Sequence, residues 1–137
     1  MYKIVQSYQK KLRRLFVVPI YNRRYTSRPA VFESIGAIDS RKLFVITVAF
    51  NDEELIALQH ETLKKYLCDP YEYFVIDNSN REEQAEKIKA YCLQNKINYV
   101  RLPENIYWNG GVSHGLALNW TYRNIIQKFK PIIFGFM

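Results

Sequence analysis

A chain of 137 residues, 48% of them apolar, has room for one domain with one ordinary core. No stretch reaches the ~20 consecutive apolar residues of a membrane-spanning helix. The longest early apolar run, Leu15 to Tyr21, is broken by Pro19, has no small-residue cleavage site after it and makes a poor signal peptide. Cys68 and Cys92 fit no metal-binding spacing and read as reduced core thiols. The net charge of +7 is unevenly spread. Residues 1–42 carry ten Lys/Arg against Glu33 and Asp39, whereas residues 43–137 carry ten against eleven Asp/Glu. The excess belongs to the N-terminal segment, so it does not argue for nucleic acid as the partner of the regular domain.

Residues 3–17 read as a helix, with Val5, Tyr8, Leu12, Leu15 and Phe16 at helical spacing and Lys10, Lys11, Arg13 and Arg14 between them. A basic amphipathic helix suits an anionic membrane surface or a partner, and equally a helix packed on its own domain. Residues 18–42 contain Pro19, Pro29 and Gly36, show no clear period and read as a connector with a short strand near Ala30 to Phe32. The chain thus divides into a basic N-terminal extension, 1–42, and a regular part, 43–137.

From residue 43 the pattern alternates. An apolar strand over 43–50 is followed by a helix over 52–67, with Ile56, Leu63 and Leu67 on one face, widened by Leu55 and Leu58. Asn51 and Glu54 have capping-box spacing at its start. A second apolar strand covers 72–77. Asn80 and Glu83 again have capping-box spacing, and Ala85, Ile88 and Cys92 form the buried stripe of the next helix. A strand over 97–102, a loop from Pro103 to Gly111, a helix over 113–129 with Leu118, Tyr122, Ile125 and Phe129 on one face, and a strand from Ile132 complete the series. This order predicts an α/β fold with a mainly parallel sheet of about four strands and helices on both faces. The last strand is still apolar at Met137, and a central strand needs cover, so the expectation is the N-terminal part of a longer protein.

Polar residues cluster where the first two strands end, and open α/β sheets bind ligands there. Asp77 closes its strand; two readings stand, a carboxylate that accepts hydrogen bonds from a base or ribose, and a cap on the turn 78–80. Asn51 reads as a helix N-cap that also shapes the loop, and Phe50 as a stacking platform or a core residue. The loop from Asn105 to Gly115 is rich in Gly and amides and opens a helix, which suits an anionic phosphate, although Gly110, Gly111 and Gly115 match no dinucleotide fingerprint. In it, Trp108 reads as a stacking platform or a plug, and His114 as a phosphate or base contact or a structural residue. His60 lies between charges and reads as exposed. No Ser/His/Asp set, H-E-x-x-H or paired strand-end carboxylates occur, so the residues present assemble no metal site.

Three segments in this order resemble the nucleotide-binding half of family 2 glycosyltransferases. Val48-Ala49-Phe50-Asn51 is similar to the first-strand P-x-Y-N signature, with Val48 in place of proline. Val75-Ile76-Asp77-Asn78-Ser79 is similar to V-D-N-S, and Glu104-Asn105 through Gly111 to Ala117-Leu118-Asn119 to N-x-G…A-x-N. The resemblance covers about residues 43–137 and implies a Rossmann-like GT-A half domain, incomplete at the C-terminus. It implies an inverting transferase of polysaccharide biosynthesis that moves a sugar from a nucleotide-diphosphate sugar to the hydroxyl of a glycan or lipid-linked acceptor. Asp77 resembles the base- or ribose-binding aspartate, with Asn78 beside it. Ala49, Phe50 and Asn51 resemble the base-contacting loop, and Gly111 to His114 the phosphate-contacting stretch, with Ser113 or His114 in place of the usual basic residue. The family's Asp-x-Asp, which holds Mg²⁺ or Mn²⁺, and its catalytic base are expected beyond Met137, so this piece alone is expected to be inactive. The alternative is a non-catalytic GT-A-like binding module. The expected location is cytoplasmic, with residues 3–17 as a peripheral contact on the inner membrane face.

Overall fold

The computed structural model describes residues 11–12, 15, 18–34, 36–105 and 110–137. Its elements are α1 (Val18–Thr26), β1 (Val31–Glu33), β2 (Leu43–Ala49), α2 (Glu53–Tyr66), β3 (Tyr71–Asp77), α3 (Glu82–Gln94), β4 (Asn98–Arg101), α4 (Gly110–Thr121, continued through a π-helical turn, Tyr122–Ile126, into Gln127–Phe129) and β5 (Phe134–Phe136). The five strands form one sheet in the order β1-β4-β3-β2-β5. Four of them run parallel, and β1 is antiparallel on the β4 edge. This is the mixed α/β architecture expected of a Rossmann-like GT-A half domain; its antiparallel strand, β1, is the short strand expected near Ala30 to Phe32. From β2 the chain moves outward through β3 to β4, then returns to the far side of β2 for β5. Strand order therefore reverses between β2 and β5, and sheets of this kind bind ligands where that happens.

The apolar runs of β2 and β3 follow from burial on both faces. Phe44 and Ile46 of β2, with Phe74 and Ile76 of β3, pack against Tyr25 of α1 and Leu116, Ala117 and Trp120 of α4. Their strand neighbours Val45, Ala49, Tyr73 and Val75 turn the other way, onto Ile56 and Leu63 of α2 and Ile88 and Cys92 of α3. Side chains alternate along a strand, so each strand feeds two cores. One layer is α1 with α4; the other is α2 with α3.

Residues 18–33 pack into this domain and do not stand apart from it as an extension. Tyr25 is fully buried, and its hydroxyl donates to the Pro103 carbonyl at 2.8 Å. The Asn124 side-chain amide donates to the Thr26 carbonyl at 3.0 Å, and the Trp120 indole to the Arg28 carbonyl at 3.2 Å. Glu33 of β1 pairs with Lys89 of α3 at 2.7 Å. The helix expected over 3–17 lies largely outside the described residues; Lys11, Leu12 and Leu15 are exposed.

Other local expectations are corrected by packing. Leu55 and Leu58 face solvent, and the buried stripe of α2 is Ile56, His60 and Leu63. His60 is only 7% exposed; its Nδ1 lies 3.1 Å from the Tyr91 hydroxyl, and its ring stacks on Tyr73. Burial lowers its pKa and favours the neutral ring. Asp52, not Asn51, caps α2, accepting from the Leu55 N–H at 2.9 Å. The N-cap of α3 is Arg81, without a side-chain cap. Cys68 is exposed, while Cys92 is in the core. In α4 the π turn, closed by the Gln127 N–H on the Tyr122 carbonyl, inserts a residue into the period. The buried face steps from Leu116 to Trp120 and then five residues to Ile125, which leaves Tyr122 47% exposed.

Two predictions follow from the core. Replacing the fully buried Tyr25 by Ala removes an anchor shared by α1, α4 and the sheet, and is expected to lower stability by about 3–5 kcal/mol in urea unfolding. A change below about 1 kcal/mol would place α1 outside the cooperative unit. Burial pushes the phenols of Tyr25 and Tyr73 up to about 12. Stability from these neutral phenols is full below pH 10.0, the ordinary tyrosine value, and is lost as pH rises through about 12. Tyrosinate absorbance should therefore rise in two stages, the later one coinciding with loss of helical circular dichroism.

Candidate functional site

The carboxyl ends of β2, β3 and β4 lie side by side. Ala49 is in register with Asp77, and Asp77 with Arg101. Asp77 shares its face with Val75 and Tyr73, so its side chain turns toward the α2/α3 core and is fully buried. One carboxylate oxygen, Oδ1, accepts from the Ser79 N–H at 2.9 Å, capping the turn that follows the strand. The other, Oδ2, accepts from the Tyr99 hydroxyl at 2.6 Å and lies 3.2 Å from Nη1 of Arg101. Burial, then the adjacent carboxylate, pushes the Tyr99 phenol far up, so it remains a donor. The same Arg101 Nη1 donates to the Ser79 carbonyl at 2.7 Å.

Asn51 completes the clasp. Its φ of 54° places it in the left-handed region that Asn tolerates better than most residues. From there its backbone N–H donates to Ser79 Oγ at 2.8 Å, and its side chain accepts from the Arg81 N–H and donates to Asn80 Oδ1. It shapes the 78–81 loop; the capping falls to Asp52.

The residue after Asp77 points the opposite way. Asn78 is held by its own N–H on the Ala49 carbonyl at 2.9 Å, and its side-chain amide donates to Ser113 Oγ of α4 at 2.8 Å. Asn105 donates to the same Ser113 oxygen at 2.9 Å and to Asn78 Oδ1 at 3.3 Å. This amide cluster floors a crevice of about 1130 Å³, roomy enough for a nucleotide-sized ligand. Phe50, half exposed, stands on one side. Arg101, His114 and Arg28, from just beyond α1, give the walls a basic component, with Glu82 and Glu104 also present. The N-terminus of α4, which has no acidic residue in its first turn, opens onto the crevice at Gly110.

Of the residues expected at the site, Phe50, Asn78, Ser113 and His114 line the crevice. Gly111 lies in the first turn of α4, next to Gly110. Ala49 packs into the opposite core and contributes only its carbonyl, and Asn51 acts through the loop. Asp77 does not line the crevice: its carboxylate is engaged internally, so the capping reading is the one this structure displays. Trp108 lies outside the described residues. Asn105, which opens the amide-rich loop, is joined in the lining by Arg101 and Arg28, two residues outside the expected set. Arg101 carried a faint signal, a charge closing an apolar strand in register with Asp77; Arg28 reaches the crevice only because α1 packs on α4.

The model of one protein family, described as Glycosyl transferase family 2, matches residues 44–119, from β2 into α4. The chain belongs to glycosyl transferase family 2. A search of curated proteins and a search of solved structures gave no match. Membership supports a glycosyltransferase-type function in general. The family's span contains the crevice floor and the Asp77 clasp, whereas α1, β1 and β5 fall outside it. The family generally uses a divalent metal. Among the described residues, no three His, Cys, Asp or Glu side chains gather in a way that could hold one, so these residues do not fit such an ion.

Removing the Asp77 carboxylate would take the acceptor from the Tyr99 hydroxyl and the Ser79 N–H and leave Arg101 with Glu82 and the Ser79 carbonyl alone. Breaking a buried pair costs about 3–5 kcal/mol; because Arg101 partly reaches solvent, Asp77→Ala is expected near the lower end, about 3 kcal/mol, in urea unfolding. Tyr99→Phe, which removes one hydrogen bond to a charged group, should cost about 1.5–3 kcal/mol.

Proposed function

We propose that the crevice binds the nucleoside diphosphate of a sugar donor, and that the protein serves transfer of that sugar, with inversion, to the hydroxyl of a glycan or lipid-linked acceptor. The observation that carries this reading is the meeting of three groups at one rim: the exposed ring of Phe50, the amides of Asn78 and Asn105, and the N-terminus of α4. An exposed aromatic beside amides suits a flat heterocycle with hydrogen-bonding edges. Backbone N–H groups at a helix start suit phosphate oxygens, and Arg28 and His114 lie on the same wall. In this reading Phe50 stacks on the base, Asn78 and Asn105 meet its edge, and Ser113 holds both amides in place. Asp77, Tyr99, Arg101 and Asn51 position the loop that presents Asn78.

Calorimetric titration of UDP, GDP and dTDP tests the reading. One of the three is expected to bind the unaltered protein. Phe50→Ala should weaken that binding by about 1–3 kcal/mol, the usual loss when a stacking ring is removed. Asn78→Ala should weaken it by about 1 kcal/mol. Equal affinity in both variants, or no binding of any of the three diphosphates, would refute the assignment.

A further inference from the structure

Charge is divided between the two faces of this domain. No Asp or Glu occurs in residues 1–32 or 105–137, so the α1/α4 layer has no acidic side chain. The α2/α3 layer is mixed: α2 carries Glu53, Glu54 and Glu61 with Lys64 and Lys65, and α3 carries Glu82, Glu83 and Glu86 with Lys87 and Lys89. There Lys64 pairs with Glu61 at 2.8 Å and Lys87 with Glu83 at 2.7 Å. On the opposite layer Arg23 and Arg24 of α1, with Arg123 and Lys128 of α4, are exposed. Among the described residues no ion pair engages them.

Apolar side chains accompany these cations. Ile20, three and four residues before Arg23 and Arg24, is 54% exposed, while Tyr25 on the inward side of α1 is fully buried. Tyr122, next to Arg123, is also exposed, as are Lys11, Leu12 and Leu15 ahead of α1. A helix face that mixes arginines with outward aliphatic and aromatic groups, backed by a rigid core, matches a surface with anionic headgroups above an apolar layer. A nucleic-acid backbone would match the cations but leave the apolar groups in water.

We propose that the outer face of the α1/α4 layer docks on an anionic lipid bilayer. Arg23, Arg24, Arg123 and Lys128 lie outside the residues that the family model matches. The docking also sets an orientation. Arg28, just past α1, and His114, in the second turn of α4, both line the crevice, so a bilayer on this face lies beside the crevice mouth.

Sedimentation of the 137-residue chain with phosphatidylcholine vesicles, with and without phosphatidylserine, tests this. Binding is expected only with phosphatidylserine, and it should weaken as salt is raised. Losing both charges in R23Q/R24Q should weaken binding roughly 30-fold, whereas K64Q/K65Q on the opposite layer should leave it within about twofold. Ile20→Asp should weaken binding without altering the circular dichroism spectrum. Failure to sediment with phosphatidylserine vesicles at low salt would overturn the proposal. So would an equal loss in the two double variants, or retention on single-stranded RNA without vesicle binding.

Discussion

A carboxylate buried without solvent must be paired on all sides or it destabilises the fold. Asp77 meets that condition with three partners from one neighbouring strand and one turn: the Tyr99 hydroxyl and the Arg101 guanidinium of β4, and the Ser79 N–H. Each partner has a consequence. Tyr99 and Arg101 link β4 to β3 where the ladder ends, and the Ser79 N–H forces the chain to turn immediately after the strand. Arg101 also holds the Ser79 carbonyl, so the turn is gripped from both its N–H and its C=O side. Asn51 reaches across from the end of β2 and fixes the next two residues. Asn78 has little freedom left and must point at α4.

The same economy of direction organises the whole sheet. Successive residues at a strand end serve opposite layers, so Asp77 closes the α2/α3 core while Asn78 faces the α1/α4 side. The crevice belongs to that second side, where α4 begins and α1 ends. The π turn of α4 keeps its later half on the sheet: at about 100° per residue, a strict α-helical continuation from Trp120 would have put Asn124 and Gln127 against the sheet and swung Ile125 away from it. Asn124, inside that turn, donates to both the Trp120 carbonyl and the Thr26 carbonyl, tying the distorted helix to α1.

Much of this was legible in the sequence, for identifiable reasons. Strands buried on both faces leave apolar runs, so Leu43 to Ala49 and Tyr73 to Ile76 announce themselves, and their alternation with helices implies the parallel order. Single residues were harder. His60 sits among charges on its own helix, and its burial depends on Tyr91, thirty-one residues away on α3. Tyr25 lies in a stretch without helical period, and only the packing of α4 makes it core. A shift to five-residue spacing in α4 cannot be seen by a 3.6-residue template. The resemblance puts Asp77 ahead of Asn78 as the base contact, yet Asn78 is the one that lines the crevice, because the sequence places both at the strand end but does not say which face α4 covers.

The exchange of a carboxylate for an amide at the crevice floor changes where binding energy can come from. A hydrogen bond to a charged group contributes about 1.5–3 kcal/mol, while one between neutral groups contributes about 0.5–1.5 kcal/mol. Asn78 and Asn105 are neutral and already share Ser113, so each offers a ligand only its remaining capacity. Edge recognition by such a floor supplies direction more than affinity. In the reading proposed above, the larger share then falls to stacking on Phe50 and to the helix start and arginines around the phosphates. Neither depends on which base is bound, and any selectivity among bases must arise from the two amides, whose orientations are set by groups that never touch the ligand.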